Sequence, residues 1–332
     1  MSFHKEFEKF HGIIRIDKDK RTSLLSNKSA LRDKIKKHFK EKGREEPKFY
    51  IQGSMDKKVS TGINPINGDY DIDDGIYLQG VTTDNITPAT AHKWVLDAVD
   101  GHTKSKEDKS KCVRVNYAKK NRDEEGFEKH VDLPIYIEEN DTQYLAIKGK
   151  GWIENKPKEI SDWFKDEREE KGTDFRKAIR FLKAWKDKRE SENKALQLFG
   201  GFQLSILVSE YFPDSYDNDL EKLFYKVVKN INDNLWIHPP LDNPINTDQD
   251  TLEYYSDSRI ATFKEKFQTL FEKVEDAYEE ENVDKKVIKW RRVFGDRFPD
   301  HIEDKDEKEK SLETPAVIVG ATDISQAESQ FA

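Results

Sequence analysis

Two aspartates spaced by one residue, a third far downstream and a Gly-Ser pair upstream are the groups of this 332-residue chain best suited to chemistry. Asp71 and Asp73 stand in the run Asp71-Ile72-Asp73-Asp74-Gly75-Ile76-Tyr77-Leu78. Side chains at i and i+2 of a strand share a face, so the two carboxylates project together while Ile72 enters the other side. Carboxylates held side by side repel, and without a cation one is pushed to protonate, so the pair suits a divalent metal bound through hard oxygen ligands. Asp132 is a third acid in the otherwise apolar strand His130-Val131-Asp132-Leu133-Pro134-Ile135-Tyr136. Acids are rarely buried unless paired or coordinating. Gly53-Ser54 follows a short strand and offers backbone N–H groups and a hydroxyl to a phosphate. An Asp-x-Asp alone is more often a solvated strand edge. With the third acid and the Gly-Ser turn, the set has the parts of a two-metal phosphoryl-transfer site. Asp69 shares the face, which leaves the pair open to a slip by two. The apolar continuation through Ile76 and Leu78 favours Asp71 with Asp73.

The elements that must position these groups follow from periodicity. Leu24, Leu31, Ile35 and Phe39 form a helical stripe within residues 21–42, closed by Gly43. Strands are expected over 48–52, 69–78, 113–117 and 130–137, with a Gly/Pro/Asn loop between the first two and a helix from Thr87-Pro88 to about Val99. After Trp152 the pattern turns helical: a stripe of Phe175, Ile179, Leu182 and Trp185, then helices near 202–211, 220–231, 258–280 and 283–293. Strands early and helices late predict an α+β protein, with a mixed-sheet lobe over residues 1–150, a helical lobe over 151–302 and a disordered tail over 303–332.

The chain carries 58 Lys plus Arg against 66 Asp plus Glu, a net charge of −8, with 35% apolar and 11% aromatic residues. That composition supports a folded core and argues against obligate binding to long nucleic acid, which needs a basic surface. No run approaches the roughly 20 apolar residues of a membrane span, and a cytoplasmic, monomeric protein is expected. The single Cys112 excludes an internal disulfide or a multi-cysteine zinc site.

At these residues the sequence resembles the bacterial cGAS/DncV-like nucleotidyltransferases, within the DNA polymerase β-like superfamily. Gln52-Gly53-Ser54, Asp71-Ile72-Asp73, His130-Val131-Asp132-Leu133-Pro134, Phe181-Leu182-Lys183-Ala184-Trp185 and Phe294-Gly295-Asp296-Arg297-Phe298-Pro299 look like that family's blocks, in its order, across about residues 20–300. The resemblance implies a polymerase β-like lobe plus a helical lobe with the active site in the cleft. It also implies synthesis of a cyclic di- or trinucleotide messenger from nucleoside triphosphates, ATP and GTP among them, in antiphage signalling. Two Mg²⁺ ions, or Mn²⁺, are implied on Asp71, Asp73 and Asp132. Gln52, Gly53 and Ser54 are then expected at the donor triphosphate, Lys183 at its phosphates, and Phe202 stacked on the base. Gly201 stands where the family has a small polar residue. A linear or RNA-tailing transferase and an inactive nucleotide-binding scaffold are the competing readings.

Other groups weigh less. His130 is expected on the strand face opposite Asp132, with a structural role, and the remaining histidines show no ligand spacing. Gly101 to Arg122 hold eight Lys or Arg and two acids, and the basic stretch from Lys104 to Arg122 reads as a solvated hairpin, with an approach to nucleotide phosphates as the alternative. Trp236 to Pro240 reads as a loop at the lobe interface. The tail, ending in Ser329-Gln330-Phe331-Ala332, reads first as an ordinary frayed terminus; the alternative, implied by related synthases, is a flexible tail whose terminal Ala332 is conjugated by an operon-encoded, ubiquitin-transfer-like accessory enzyme.

Overall fold

The computed structural model describes residues 1–118, 127–235 and 241–303. The loop assigned to 236–240, the basic residues 119–122 and the tail from 304 onward lie outside the described residues.

The chain begins with helices α1 (His4–Ile14) and α2 (Lys18–Glu41), the second started by Asp17, whose carboxylate accepts the Lys20 amide at 2.7 Å. Strands β1 (Lys48–Gln52) and β2 (Tyr70–Tyr77) follow, then α3 (Pro88–Ala98), with proline in its first turn and Thr87 as cap. Next come β3 (Ser105–Asp108), β4 (Val113–Ala118), β5 (Phe127–Leu133), β6 (Ile135–Glu139), β7 (Thr142–Ile147) and β8 (Gly151–Glu154). Helices α4 (Pro157–Lys171), α5 (Asp174–Glu192), α6 (Gly201–Glu210) and α7 (Leu220–Leu235) lead to a short hairpin, β9 (Asp242–Asn243) and β10 (Asn246–Asp250). Helices α8 (Asp257–Glu279) and α9 (Val283–Phe294) close the described chain.

Strands β1–β8 form one mixed sheet in which β2 is central. It runs parallel to β5 and β6 and antiparallel to β1. The strand expected over 130–137 is two strands, because Pro134 has no N–H for the ladder; its carbonyl still accepts the Ile76 amide at 2.8 Å. One face of the sheet carries Ile72, Ile76, Val113, Val115, Val131 and Leu133, all buried beneath α2 and α3. The opposite face is the one that bears the acids. The architecture is α+β, a mixed-sheet lobe with a helical C-terminal region.

A second core joins α4–α9, and here the packing differs from a division at residue 150. Phe3, Phe7, Phe10 and Ile14 of the N-terminal segment are buried among these helices rather than against the sheet. Phe7 meets Phe181 edge-on at 5.2 Å and Trp290 at 4.9 Å, and Phe10 lies 4.4 Å from Phe294. The physical reason is the aromatic stripe of α1, which fills a slot between α5, α7 and α9. A buried acid fixes it there: Glu221 accepts the Phe3 amide at 2.9 Å and the Trp290 indole at 2.8 Å, and pairs with Lys286 at 3.0 Å. Since α1 belongs to one core and α2 to the other, the chain crosses the cleft at residues 15–17.

Candidate active site

The acids occupy the uncovered face of the sheet through strand register. In β2, Asp71 and Asp73 alternate with the buried Ile72. Asp71 pairs with His130 and Asp73 with Asp132 across the parallel ladder, and Arg114 of β4 stands opposite Asp132. Asp74 points to the other face, fully buried, where Arg32 of α2 grips both its oxygens, one at 2.7 Å. That pair ties the long helix to the strand holding the acids. Asp69 precedes β2, and its carboxylate is engaged by His130 Nδ1 at 3.0 Å.

His130 is on the same face as Asp132, not the opposite one. Positions i and i+2 share a side of a strand, and the expectation had ignored that period. Its Nδ1 is 3.0 Å from Asp69 Oδ1, and its Nε2 is 4.0 Å from Asp71 Oδ2 and 3.8 Å from Asp132 Oδ2. Arg114 donates to both oxygens of Asp132 at 2.8 Å. This corrects the solvated reading of the basic hairpin at its most important position. Val113 and Val115 enter the core, so alternation sends Arg114 to the acids; Lys106 and Lys109 do pair outward, with Asp100 and Glu107.

Electrostatics follow from this crowding. Loss of solvation raises the Asp71 carboxyl, His130 opposes that, and Asp132 adds to it. Burial, then Asp71, then Asp132 lift Asp73 well above the ordinary carboxylate range. Burial lowers His130, but the Asp69 contact and the charges of Asp132 and Asp71 outweigh it and raise the imidazole. The bond to Asp132 raises the Arg114 guanidinium. Cys112, half-buried beside Asp132, is pushed up to about 12 by burial and then by that carboxylate, so it stays a thiol. The Asp71 and Asp73 carboxyls, held above their usual range by burial and neighbouring charge, lack positive charge, and a divalent cation among Asp71, Asp73 and Asp132 would supply it. The donor set fits.

The phosphate side is built by close approach. Gly53 has φ +61°, and a Cβ there would stand 2.4 Å from Asp73 Oδ2, so only glycine lets the turn lie against the acid. Lys183 of α5 donates to Thr61 Oγ1 at 3.0 Å and to the Thr61 carbonyl at 3.2 Å. Burial lowers it to about 8, with Asp71 opposing and Arg180 reinforcing. A Cβ at Gly201 would stand 2.8 Å from Lys183 Cε. The glycine that replaces the family's polar residue is therefore the space the lysine occupies. Ser54, Lys183 and Gly201 line two adjoining cavities, of about 380 and 240 Å³. The larger also takes Asp71, Lys186 and Asp187; the smaller takes Asp73, Val59, Ile160, Phe164 and Phe202. Phe202 also packs on the helical core, with Trp163 edge-on at 6.3 Å.

Gln52 borders the smaller cavity, but its amide is turned into the sheet. Oε1 accepts the Tyr136 hydroxyl at 3.0 Å, and Nε2 lies where a Cβ on Gly75 would be. The sequence reading missed Arg114, His130 and Thr61. For the first two the alternation of β4 and β5 was a sufficient signal. Thr61 had none, since it meets Lys183 only by tertiary folding.

Residues 47–136 match the nucleotidyltransferase domain of cyclic GMP-AMP synthase DncV-like proteins. The chain is 24% identical over 234 residues to a cyclic GMP-AMP synthase of Escherichia albertii, spanning 66% of this chain and 50% of that one. It is 27% identical over 161 residues to a cyclic AMP-AMP-AMP synthase of an Acinetobacter species, 45% of this chain and 44% of the other. It thus spans about half the length of these curated relatives. The fold matches the crystal structure of Vibrio cholerae DncV cyclic AMP-GMP synthase with a TM-score of 0.74 at 18% identity, over 90% of this chain and 98% of that one. It matches CdnC of Escherichia coli MS115-1, with ATP, at 0.69 and 14%, over 90% and 99%. Matching domain, relatives and fold agree that residues 47–136 form a DncV-like nucleotidyltransferase domain and that the chain as a whole is similar to bacterial cyclic-nucleotide synthases of the DncV type.

Proposed function

We propose that this protein joins nucleoside triphosphates into a cyclic di- or trinucleotide, releasing pyrophosphate at each transfer. The observation that carries the reading is the convergence of Asp71, Asp73 and Asp132 on one face of the sheet, with Asp71 and Asp73 each lining one of two cavities that share Ser54, Lys183 and Gly201. Two adjoining cavities suit a donor and an acceptor nucleotide, and their size falls near the range of small-molecule clefts, roughly 300–1,000 Å³. Two divalent ions on the three aspartates would lower the pKa of the attacking hydroxyl and neutralise the leaving pyrophosphate. Ser54 hydrogen-bonds the donor triphosphate and Lys183 offsets its charge. Gly53 holds the turn against Asp73, and Arg114 orients Asp132. Phe202, beside the apolar cavity, stacks on the donor base. Ring closure needs a second transfer in which the linear intermediate re-enters with its ends exchanged.

Relatives named as cyclic GMP-AMP and cyclic AMP-AMP-AMP synthases support a cyclic product. The net charge of −8 disfavours an RNA-tailing enzyme, and the Asp71 and Asp73 carboxyls, kept at an electrostatic cost, disfavour a relic scaffold. Mg²⁺ as the ion, a cytoplasmic setting, antiphage signalling and an accessory enzyme acting on the tail belong to the same reading. The test is incubation with the four NTPs and Mg²⁺ or Mn²⁺, phosphatase treatment and mass spectrometry. A phosphatase-resistant cyclic product is expected. Only linear, phosphatase-sensitive oligomers would overturn the cyclic assignment, and no product with any NTP would overturn the activity.

A further inference from the structure

The acids share their face of the sheet with a nitrogen. His130 faces Asp71 across the parallel ladder and stands two residues before Asp132, so strand geometry brings its ring between the two carboxylates. The residue is 7% exposed. Nδ1 is spoken for by Asp69 at 3.0 Å, and Nε2 has no hydrogen-bond partner among the described residues. It looks instead toward Asp71 Oδ2 and Asp132 Oδ2, and one ligand atom from each of the three residues fits within 4.8 Å of the others. Ligand atoms on one first-row divalent ion, at about 2.1 Å from it, are roughly 3 to 4 Å apart, so a small closure makes them a shared coordination sphere. A carboxylate behind the outer nitrogen is the arrangement that fixes the tautomer of metal-bound histidines and aims the inner lone pair. Imidazole suits transition ions, whereas Mg²⁺ is held by oxygen ligands and water.

We propose that His130 Nε2 is a ligand, together with Asp71 and Asp132, to one of the two active-centre ions, and that this nitrogen makes that position selective for Mn²⁺ over Mg²⁺. The inference rests on the two-ion reading of the aspartates. Asp69 is then a positioning residue that holds the ring, and the second ion, on the Asp73 side, keeps an all-oxygen environment.

Mn²⁺ itself is the probe, added to the full chain without nucleotide. Electron paramagnetic resonance counts bound ions, and pulsed measurements read nitrogen coupling to the bound Mn²⁺. Wild type should show an imidazole nitrogen signal. His130→Asn should lose it and weaken Mn²⁺ binding by about tenfold or more, with Mg²⁺ affinity from competition moving less than about threefold. Asp69→Asn, on a half-exposed side chain, keeps the test open if His130→Asn does not fold. It should reduce the nitrogen coupling and weaken Mn²⁺ binding by a few-fold. Bound Mn²⁺ without nitrogen coupling in wild type, or coupling that survives in His130→Asn, overturns the proposal and leaves the two-ion reading standing. No Mn²⁺ bound at all overturns both.

Discussion

Gly201→Ala tests the link between Lys183 and the nucleotide without removing a charge or a hydrogen-bonding group. Gly201 opens α6 with φ outside the left-handed region, so alanine is allowed and gains helix propensity, up to about 1 kcal/mol and less in a first turn. Its Cβ, however, stands 2.8 Å from Lys183 Cε and 3.1 Å from Nζ, inside the 3.4 Å at which ordinary contact begins. The obstacle is the end of a flexible side chain, so the lysine retreats and the backbone does not. A retreat of that size takes Nζ out of its bonds to Thr61, now 3.0 and 3.2 Å. It also draws the charge away from the shared wall of the two cavities. Hydrogen bonds to a charged group are worth about 1.5–3 kcal/mol, which converts to roughly ten- to a hundredfold weaker binding. The expected result is an NTP KM raised by about that factor with a melting temperature unchanged or slightly higher. Initial-rate kinetics, calorimetry with a non-hydrolysable NTP and thermal melts measure the two effects separately. A wild-type KM would refute the reasoning, because it would mean that the position of Lys183 is immaterial. A lowered melting temperature would refute it too, by tracing the loss to the fold.

Asp71→Ala with Asp73→Ala should abolish product while raising stability at neutral pH. Both carboxyls sit above their ordinary values, so their ionisation costs stability above those raised values, and the gain should fade as pH falls to the normal carboxylate range; melts against pH check the sign. Lys183, lowered to about 8, loses its charge as pH rises through that value, so NTP affinity of wild type should fall above pH 8, whereas Lys183→Arg should keep a flat profile. Arg114→Met leaves a nearly buried carboxylate without its cation, a loss on the order of 3 kcal/mol, and added Mg²⁺ or Mn²⁺ should restore more melting temperature in this variant than in wild type. A destabilisation that ions do not relieve would mean that Asp132 is not open to metal.

What could be read from the sequence was whatever depends on residues near one another along the chain. The acidic strand, the Gly-Ser turn, the stripe of α2 and the major helices of the second half all have short-range signals in alternation, spacing and breakers. The short edge strands β3 and β8, the inner strand β7 beside β8 and the polar hairpin β9–β10 went unseen, because their pattern is weak and pairing alone defines them. Helix α1 was taken with the sheet lobe because it precedes it, and only packing shows that Phe7 and Phe10 complete the other core. The site divides in the same way. Composition and spacing named Asp71, Asp73 and Asp132, since three acids in apolar strands are costly wherever the strands lie. Which cations balance them was decided by register: Arg114 meets Asp132, and His130 meets Asp69, across strands that diverge in sequence. Lys183, Thr61 and Gly201 come from three separate segments, and the empty space at Gly201 has meaning only once α5 has brought the lysine there.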